Sequence, residues 1–288
     1  MTLISILLAL AFEYFLGPMD RFRNFQWFEN YINWLEIKFQ RHTFWDSNLG
    51  VIISIAIPII ILMLVDLVLG EIFIGLSFVL AILVFVYCLG PDINIVLTNY
   101  TQALEGNLEE DIAVIESSLN LKSEENQYNE TQTISAILIR AHDYIFGVLF
   151  WFIILGMSGA LLFSLSLLIK NKYDGVHGGY ATAGRELYKI LIWPSSRLLA
   201  IGFAIGGSLV DTLERWRKIE GETREVSHQI ISESGLGALQ FEENPTSDSE
   251  EAKSNYIQCI KEAQALINRS LIVWLTMLGL LTLGGFLS

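Results

Sequence analysis

The sequence predicts an all-α fold: a polytopic transmembrane helical bundle with amphipathic and acidic cytoplasmic helices. Three observations predict it. Hydrophobic residues make up 52% of the 288 and charged residues only 17%, against about a quarter charged in an ordinary soluble domain. Four runs free of Asp, Glu, Lys and Arg (49–65, 72–89, 144–169 and 270–288) each reach the length of roughly 17–25 residues that a bilayer core requires. The chain is nevertheless strongly acidic, with a net charge of −13, so the apolar and acidic residues occupy different stretches. In lipid the backbone has to satisfy its own hydrogen bonds, so the runs read as helices and not strands.

Taken in order, the first segment, 2–16, is apolar but short and is interrupted by Glu13. It has neither a basic leader nor a small-residue cleavage site, and is expected to be a retained first span. Residues 20–40 follow, with Phe22, Phe25, Trp27, Phe28, Tyr31, Trp34, Leu35 and Phe39 at helical spacing. That pattern reads either as an amphipathic helix on the bilayer surface or as a helix packed beneath the bundle. Spans at 49–65 and 72–89 are joined by the short turn 66–71, and Gly90-Pro91 stops the second. INIVLTNYTQALEG and NLEEDIAVIESSLN then read as two short helices. Glu109, Glu110 and Asp111 fill the first turn of the second, where they complement the helix dipole.

A long helix is expected over 133–169, from the cytoplasm into the fourth span. The fifth, 190–210, contains Pro194 and Arg197, and the proline is placed at its start. Stretches such as LERWRKIEGETREVSHQII read as helical, ENPTSDSEEAKS at 243–254 as a flexible polar run, and 270–287 as the last span. The chain is thus read as one integral membrane domain, 1–288, with six spans near 2–16, 49–65, 72–89, 144–169, 190–210 and 270–287.

Basic residues set the orientation. With the N-terminus periplasmic, the cytoplasmic segments are 17–48, 90–143 and 211–269, holding four, two and seven Lys and Arg. The opposite side holds none in 66–71 but four in 170–189: Lys170, Lys172, Arg185 and Lys189. That loop is the one dissent from the rule.

For chemistry, the acidic balance argues against nucleic acid as a partner, and two cysteines, Cys88 and Cys259, exclude a disulfide scaffold. There is no phosphate loop, no GxGxxG after a strand, no HExxH, no CxxC and no GxSxG elbow. No catalytic residue, metal ligand or cofactor is therefore expected. Three consecutive acids on a helix point in different directions, which disfavours a cation site at 109–111. Ionisable groups in or beside spans are the better candidates, because lipid makes them costly. Snorkelling to the interface accounts for Asp66, Glu71, Asp143 and Asp211. A ligand site or intramembrane polar site is expected among Glu13, Arg140, His142, Asp143 and Arg197, with Glu13 and Arg197 as a candidate pair. Gly156 with Ala160, and Gly202 with Gly206, have the spacing for close helix packing, within one chain or, as the minority reading, in a homodimer.

Four fragments in order carry a family resemblance: MTLISILLALAFEYFL, CLGPD at 88–92, GVLFWFIILGMSGALLF at 147–163 and LYKILIWPSSRLLAIGFAIGG at 187–207. They resemble the AmpE family, within the wider AmpE/CobD/CbiB group of membrane proteins. The resemblance implies a multi-pass protein of the bacterial inner membrane. It implies an accessory to β-lactamase regulation and muropeptide recycling that acts by binding, with cell-wall fragments or a cytoplasmic protein as partners. The cobalamin branch of the group instead implies adenosylcobinamide-phosphate synthesis, an ATP-dependent amide formation. That branch shows an ENxSDG-like stretch where this chain has LIRAHDYIFGVLFW, keeping only Asp143 of the polar part, and its N-terminal GDP-type motif is at best a remnant in Gly17-Pro18-Met19-Asp20. Both departures speak against amide synthesis. A small permease is a further alternative, but no internal repeat supports it.

Overall fold

A computed structural model describes residues 2–16, 23–39, 42, 44–121, 129–221, 225–242 and 249–284. Among these residues all regular structure is helical. Five helical stretches are long and apolar enough to cross a membrane: Asn48–Ile72, Gly75–Gly106, Glu130–Lys172, Gly179–Gly206 and Glu250–Leu283. The N-terminal helix α1, Thr2–Leu16, has 15 residues, about 22 Å at 1.5 Å per residue, short of a bilayer core of about 30 Å. The chain divides into two compact units. One takes 1–91, 147–192 and 282–288; the other takes 92–146 and 193–281.

In the first unit, α2 (Gln26–Phe39) shows why its sequence fits two readings. Phe28, Ile32 and Leu35 are buried, while Trp27, Trp34 and Ile37 lie exposed on other faces. Lys38 sits over the Trp34 ring, 4.8 Å from its centroid. α3 (Asn48–Ile72) starts at Ser47, whose hydroxyl accepts from the Leu49 N–H. The helix continues through 66–71, where the uncharged runs suggested a turn, and breaks only at Phe73 in extended conformation. Asp66 is accommodated in this helix because Ser77 of α4 (Ile74–Cys88) donates to its carboxylate. α4 packs against α1 and α3. Arg23 donates to the carbonyls of Val86 (3.2 Å) and Gly90 at the end of α4.

α8 (Gly147–Lys172) consists of two helical pieces that meet at a non-helical residue, Gly156. Gly156 has φ 65° and ψ −151°, a conformation essentially reserved for glycine. The backbone reverses there. A Cβ placed on Gly147 would lie 2.3 Å from the Phe163 ring, and one on Gly159 would lie 2.2 Å from the Trp151 carbonyl oxygen. In a straight helix residues 147 and 163 would be about 24 Å apart. α8 is therefore a helical hairpin of two arms, 147–155 and 157–172. Gly156 was expected to allow close packing with Ala160; nothing lies within 4 Å of its Cβ position, and its role is the turn.

The second unit contains α5 (Ile93–Gly106), α6 (Glu109–Leu119) and α7 (Glu130–Ala141), followed by a π-helical turn at His142–Phe146. α5 is capped by Asp92, whose carboxylate accepts from Asn94 N–H at 2.9 Å, and ends at Asn107 in the left-handed region, φ 52°. Both short helices match the sequence expectation, including the three acids in the first turn of α6. A buried hydrogen-bond chain joins these elements to α12 (Ser249–Leu283). Tyr100 donates to Glu116 (3.0 Å), the Tyr100 and Tyr256 hydroxyls are 2.8 Å apart, and Thr133 lies 2.8 Å from Tyr256.

α9 (Gly179–Gly206) begins eleven residues before the fifth apolar run, so the stretch 179–189 is helix, and Pro194 lies in its interior instead of at its start. Its part from Trp193 onward belongs to the second unit. α10 (Leu209–Arg217) and α11 (Ser227–Ala238) pack on each other, and α11 also packs on α7. Their junction is tight: Cβ atoms on Gly207 and Gly237 would meet the Ala238 and Asp211 carbonyl oxygens at 2.3 and 2.7 Å. Within the polar run 243–254, residues 243–248 lie outside the described residues and 249–254 open α12.

Candidate functional site

The polar residues enclosed in the second unit gather around the π turn. A π turn inserts one residue into an α-helix and recurs at functional sites. Here it holds His142 and Asp143, which are 0% and 2% exposed. The imidazole touches a polar group at each nitrogen: Nδ1 is 3.1 Å from Asp143 Oδ1, and Nε2 is 2.8 Å from Ser195 Oγ. For a neutral imidazole beside an ionised carboxylate, Nδ1–H donates to Asp143 and the Ser195 hydroxyl donates to Nε2. Ser195 and its neighbour Ser196 are both 0% exposed. They follow Pro194, which has no N–H to return to the helix.

Two residues on, Arg197 is half-buried. Its guanidinium lies over the Trp193 ring, 4.8 Å from the centroid, and donates to the Trp193 carbonyl at 2.8 Å. It also donates to the hydroxyls of Ser196 (3.2 Å) and, from α11, Ser227 (3.4 Å). Arg140, two residues before the π segment, donates to the Tyr144 hydroxyl at 3.2 Å. Of the five residues expected to form a polar site, Arg140, His142, Asp143 and Arg197 fall in one unit. The Glu13 side chain lies outside the described residues, and with it the Glu13–Arg197 pair.

Further along α9, the pair Gly202 and Gly206 is a packing notch. A Cβ on Gly202 would lie 2.8 Å from Trp274 Nε1, and one on Gly206 would lie 3.3 Å from Ser270 Oγ, both side chains of α12. Trp274 also meets Phe146, the last residue of the π turn, edge to face at 5.4 Å. Ser234 Oγ, Ser270 Oγ and Trp274 Nε1 are buried with no hydrogen-bond partner among the described residues, so the interior of this unit is polar beyond what its own side chains satisfy.

A serine, histidine and carboxylate in hydrogen-bonded series is the arrangement that activates hydroxyl nucleophiles. Ser195 Oγ is enclosed, and the series joins the π turn to α9 by hydrogen bonds. Sequence reading missed Ser195, Ser196 and Ser227 because none stands in a nucleophile motif. The available signal was two adjacent hydroxyls after a proline in an otherwise apolar run.

No curated protein and no solved structure matches the chain. The family model described as "Regulatory signalling modulator protein AmpE" matches residues 1–288, the whole length. Together with the apolar helices, this match makes it a multi-pass membrane protein of a regulatory family. The chain belongs to the AmpE family.

Proposed function

We propose that the protein is an inner-membrane accessory of β-lactamase induction and muropeptide recycling, acting by binding and not by catalysis. The observation that carries this reading is the buried series Asp143–His142–Ser195 in the second unit of a chain of a regulatory family, with Arg197 further along α9 held by Ser196 and Ser227. A core of that kind recognises a ligand by hydrogen bonds at little cost in reorganisation. Cell-wall fragments or a cytoplasmic protein are the proposed partners. The acidic helix α6, with Glu109, Glu110 and Asp111 exposed on its first turn, supplies a solvated face for a protein partner. A single integral membrane domain with a periplasmic N-terminus remains part of this proposal, as does the bacterial inner membrane.

The test is a deletion strain complemented with the wild-type gene, with Ser195→Ala or with Arg197→Gln. β-Lactamase induction and muropeptide pools are measured in each. The expected result is that deletion shifts both and that neither variant restores them at wild-type membrane abundance. Unchanged induction and pools in the deletion strain, together with a requirement for cobinamide, would overturn the reading in favour of amide synthesis.

A further inference from the structure

We infer that α8 enters the membrane and returns to the side it came from, so that residues 170–180 share one membrane face with 23–39 and 44–46. All the observations lie within the first unit. The Gly156 reversal brings the two arms of α8 side by side, so the apolar run 144–169 is folded back on itself. From the end of the second arm, Lys172 donates to the Glu29 carbonyl (3.4 Å) and to the Asn33 side chain, both on α2. The Tyr173 hydroxyl donates to Glu36 at 3.3 Å. The start of α9 is fastened to the same region. Asp46 accepts from the Tyr180 N–H at 2.7 Å, the Trp45 and Tyr180 rings stack with centroids 5.1 Å apart, and Gly179 abuts the Asp46 carbonyl closely enough to exclude any Cβ. Arg23 ties the end of α4 to this face through Val86 and Gly90. The Phe73 break between α3 and α4 lies at the other end of those two helices.

Within the first unit this arrangement accounts for the basic residues around the turn into α9. A simple crossing of 144–169 would leave Lys170, Lys172, Arg185 and Lys189 opposite the basic segment 17–48. With the hairpin, Lys170, Lys172 and Arg185, which donates to the Tyr173 and Val176 carbonyls, join Arg23 and Lys38 on one face of the first unit, and 66–73 at the far end has no Lys or Arg. Positive residues mark the cytoplasmic side. The two hairpin arms satisfy their own backbone, and the irregular residue is the glycine that needs no side-chain space. A functional consequence follows. A cavity of about 530 Å³ lined by Ser47, Asn48, Gly178, Gly179, Thr182 and Glu186 opens on this face, so whatever enters it comes from the cytoplasm.

Single cysteines placed in a background with Cys88 and Cys259 replaced by alanine test the inference. The positions are Asn30→Cys on α2, His177→Cys and, as a second variant in the same loop, Asp174→Cys, with Glu71→Cys near the far turn. A membrane-impermeant maleimide is applied to intact spheroplasts and to lysed membranes. The expected result is that 30, 174 and 177 react only after lysis while 71 reacts before it. If 30, 174 and 177 all react in intact spheroplasts and 71 does not, the shared face stands with its orientation reversed. Reaction of 174 or 177 from the side opposite to 30 would overturn the inference. Reading α8 sidedness needs no ligand, so its failure leaves the binding proposal standing, and the converse also holds.

Discussion

Replacing Gly156 with alanine isolates the turn of α8 from every other effect. No atom lies within 4 Å of the position the new Cβ would take, so steric overlap contributes nothing. What remains is the backbone. At φ 65° and ψ −151° an L-residue is strained by about 1–3 kcal/mol. Alanine also restricts the unfolded chain, which returns about 0.4–1 kcal/mol. The expected net loss is about 1–2 kcal/mol, measured by reversible unfolding in mixed micelles under a denaturing-detergent titration, with tryptophan fluorescence as the signal. Asparagine is a stringent companion. It tolerates the left-handed helical region but not a ψ near −151°, so Gly156→Asn should lose a similar amount. If both variants match wild type within about 0.3 kcal/mol, position 156 is ordinary helix and α8 runs straight. A straight α8 would place 147 and 163 about 24 Å apart, so failure of a short bifunctional reagent to join Gly147→Cys to Phe163→Cys would refute the hairpin independently.

Ser195→Ala removes one buried hydrogen bond to His142 and should lower stability by about 1 kcal/mol. A loss above about 4 kcal/mol by the same titration would mean that Ser195 holds the fold instead of linking two helices. Asp46→Ala removes the carboxylate that caps α9 and should cost about 1 kcal/mol; proteolysis near Gly178–Gly179 should rise with it, and an unchanged digestion pattern would contradict the capping role. Hydrogen bonds from Ser208 and Gln240 hold the Asp211 carboxyl below the usual carboxylate range. A carboxyl whose folded pKa is depressed contributes stability above its unfolded value of about 3.9, and that contribution is lost as pH falls through the folded value. Acid titration of wild type against Asp211→Asn should therefore give curves that converge at low pH; parallel curves would exclude Asp211 as a source of acid sensitivity.

Much of the helical architecture was legible because the signals are local. Asp92 and Gly90-Pro91 mark the start of α5, the acids 109–111 mark α6, and the run 49–65 marks α3. Boundaries failed where tertiary contacts override composition. Asp66 and Glu71 look like turn residues, yet Asp66 stays inside a helix with Ser77 as its partner. Residues 179–189 look like a charged loop, yet Asp46 caps a helix there from far away in the chain. The reversal at Gly156 was invisible because an apolar run has the same composition whether it crosses or folds back. For the site, His142, Asp143, Arg140 and Arg197 stood out as costly charges in apolar surroundings. Ser195 did not, since its significance comes from a π turn whose extra residue leaves no mark on composition.

That extra residue makes the segment His142–Phe146 a phase shifter. Deleting one residue there would restore α-helical winding, shorten the chain by about 1.5 Å and turn His142 by about 100° relative to Phe146. His142 and Phe146 would no longer face Ser195 and Trp274 together. Single-residue deletions in 142–146 should thus be far more damaging than any one substitution at Tyr144 or Ile145. Among homologous chains, a one-residue gap at this place would separate those that keep the histidine–serine link from those that have lost it.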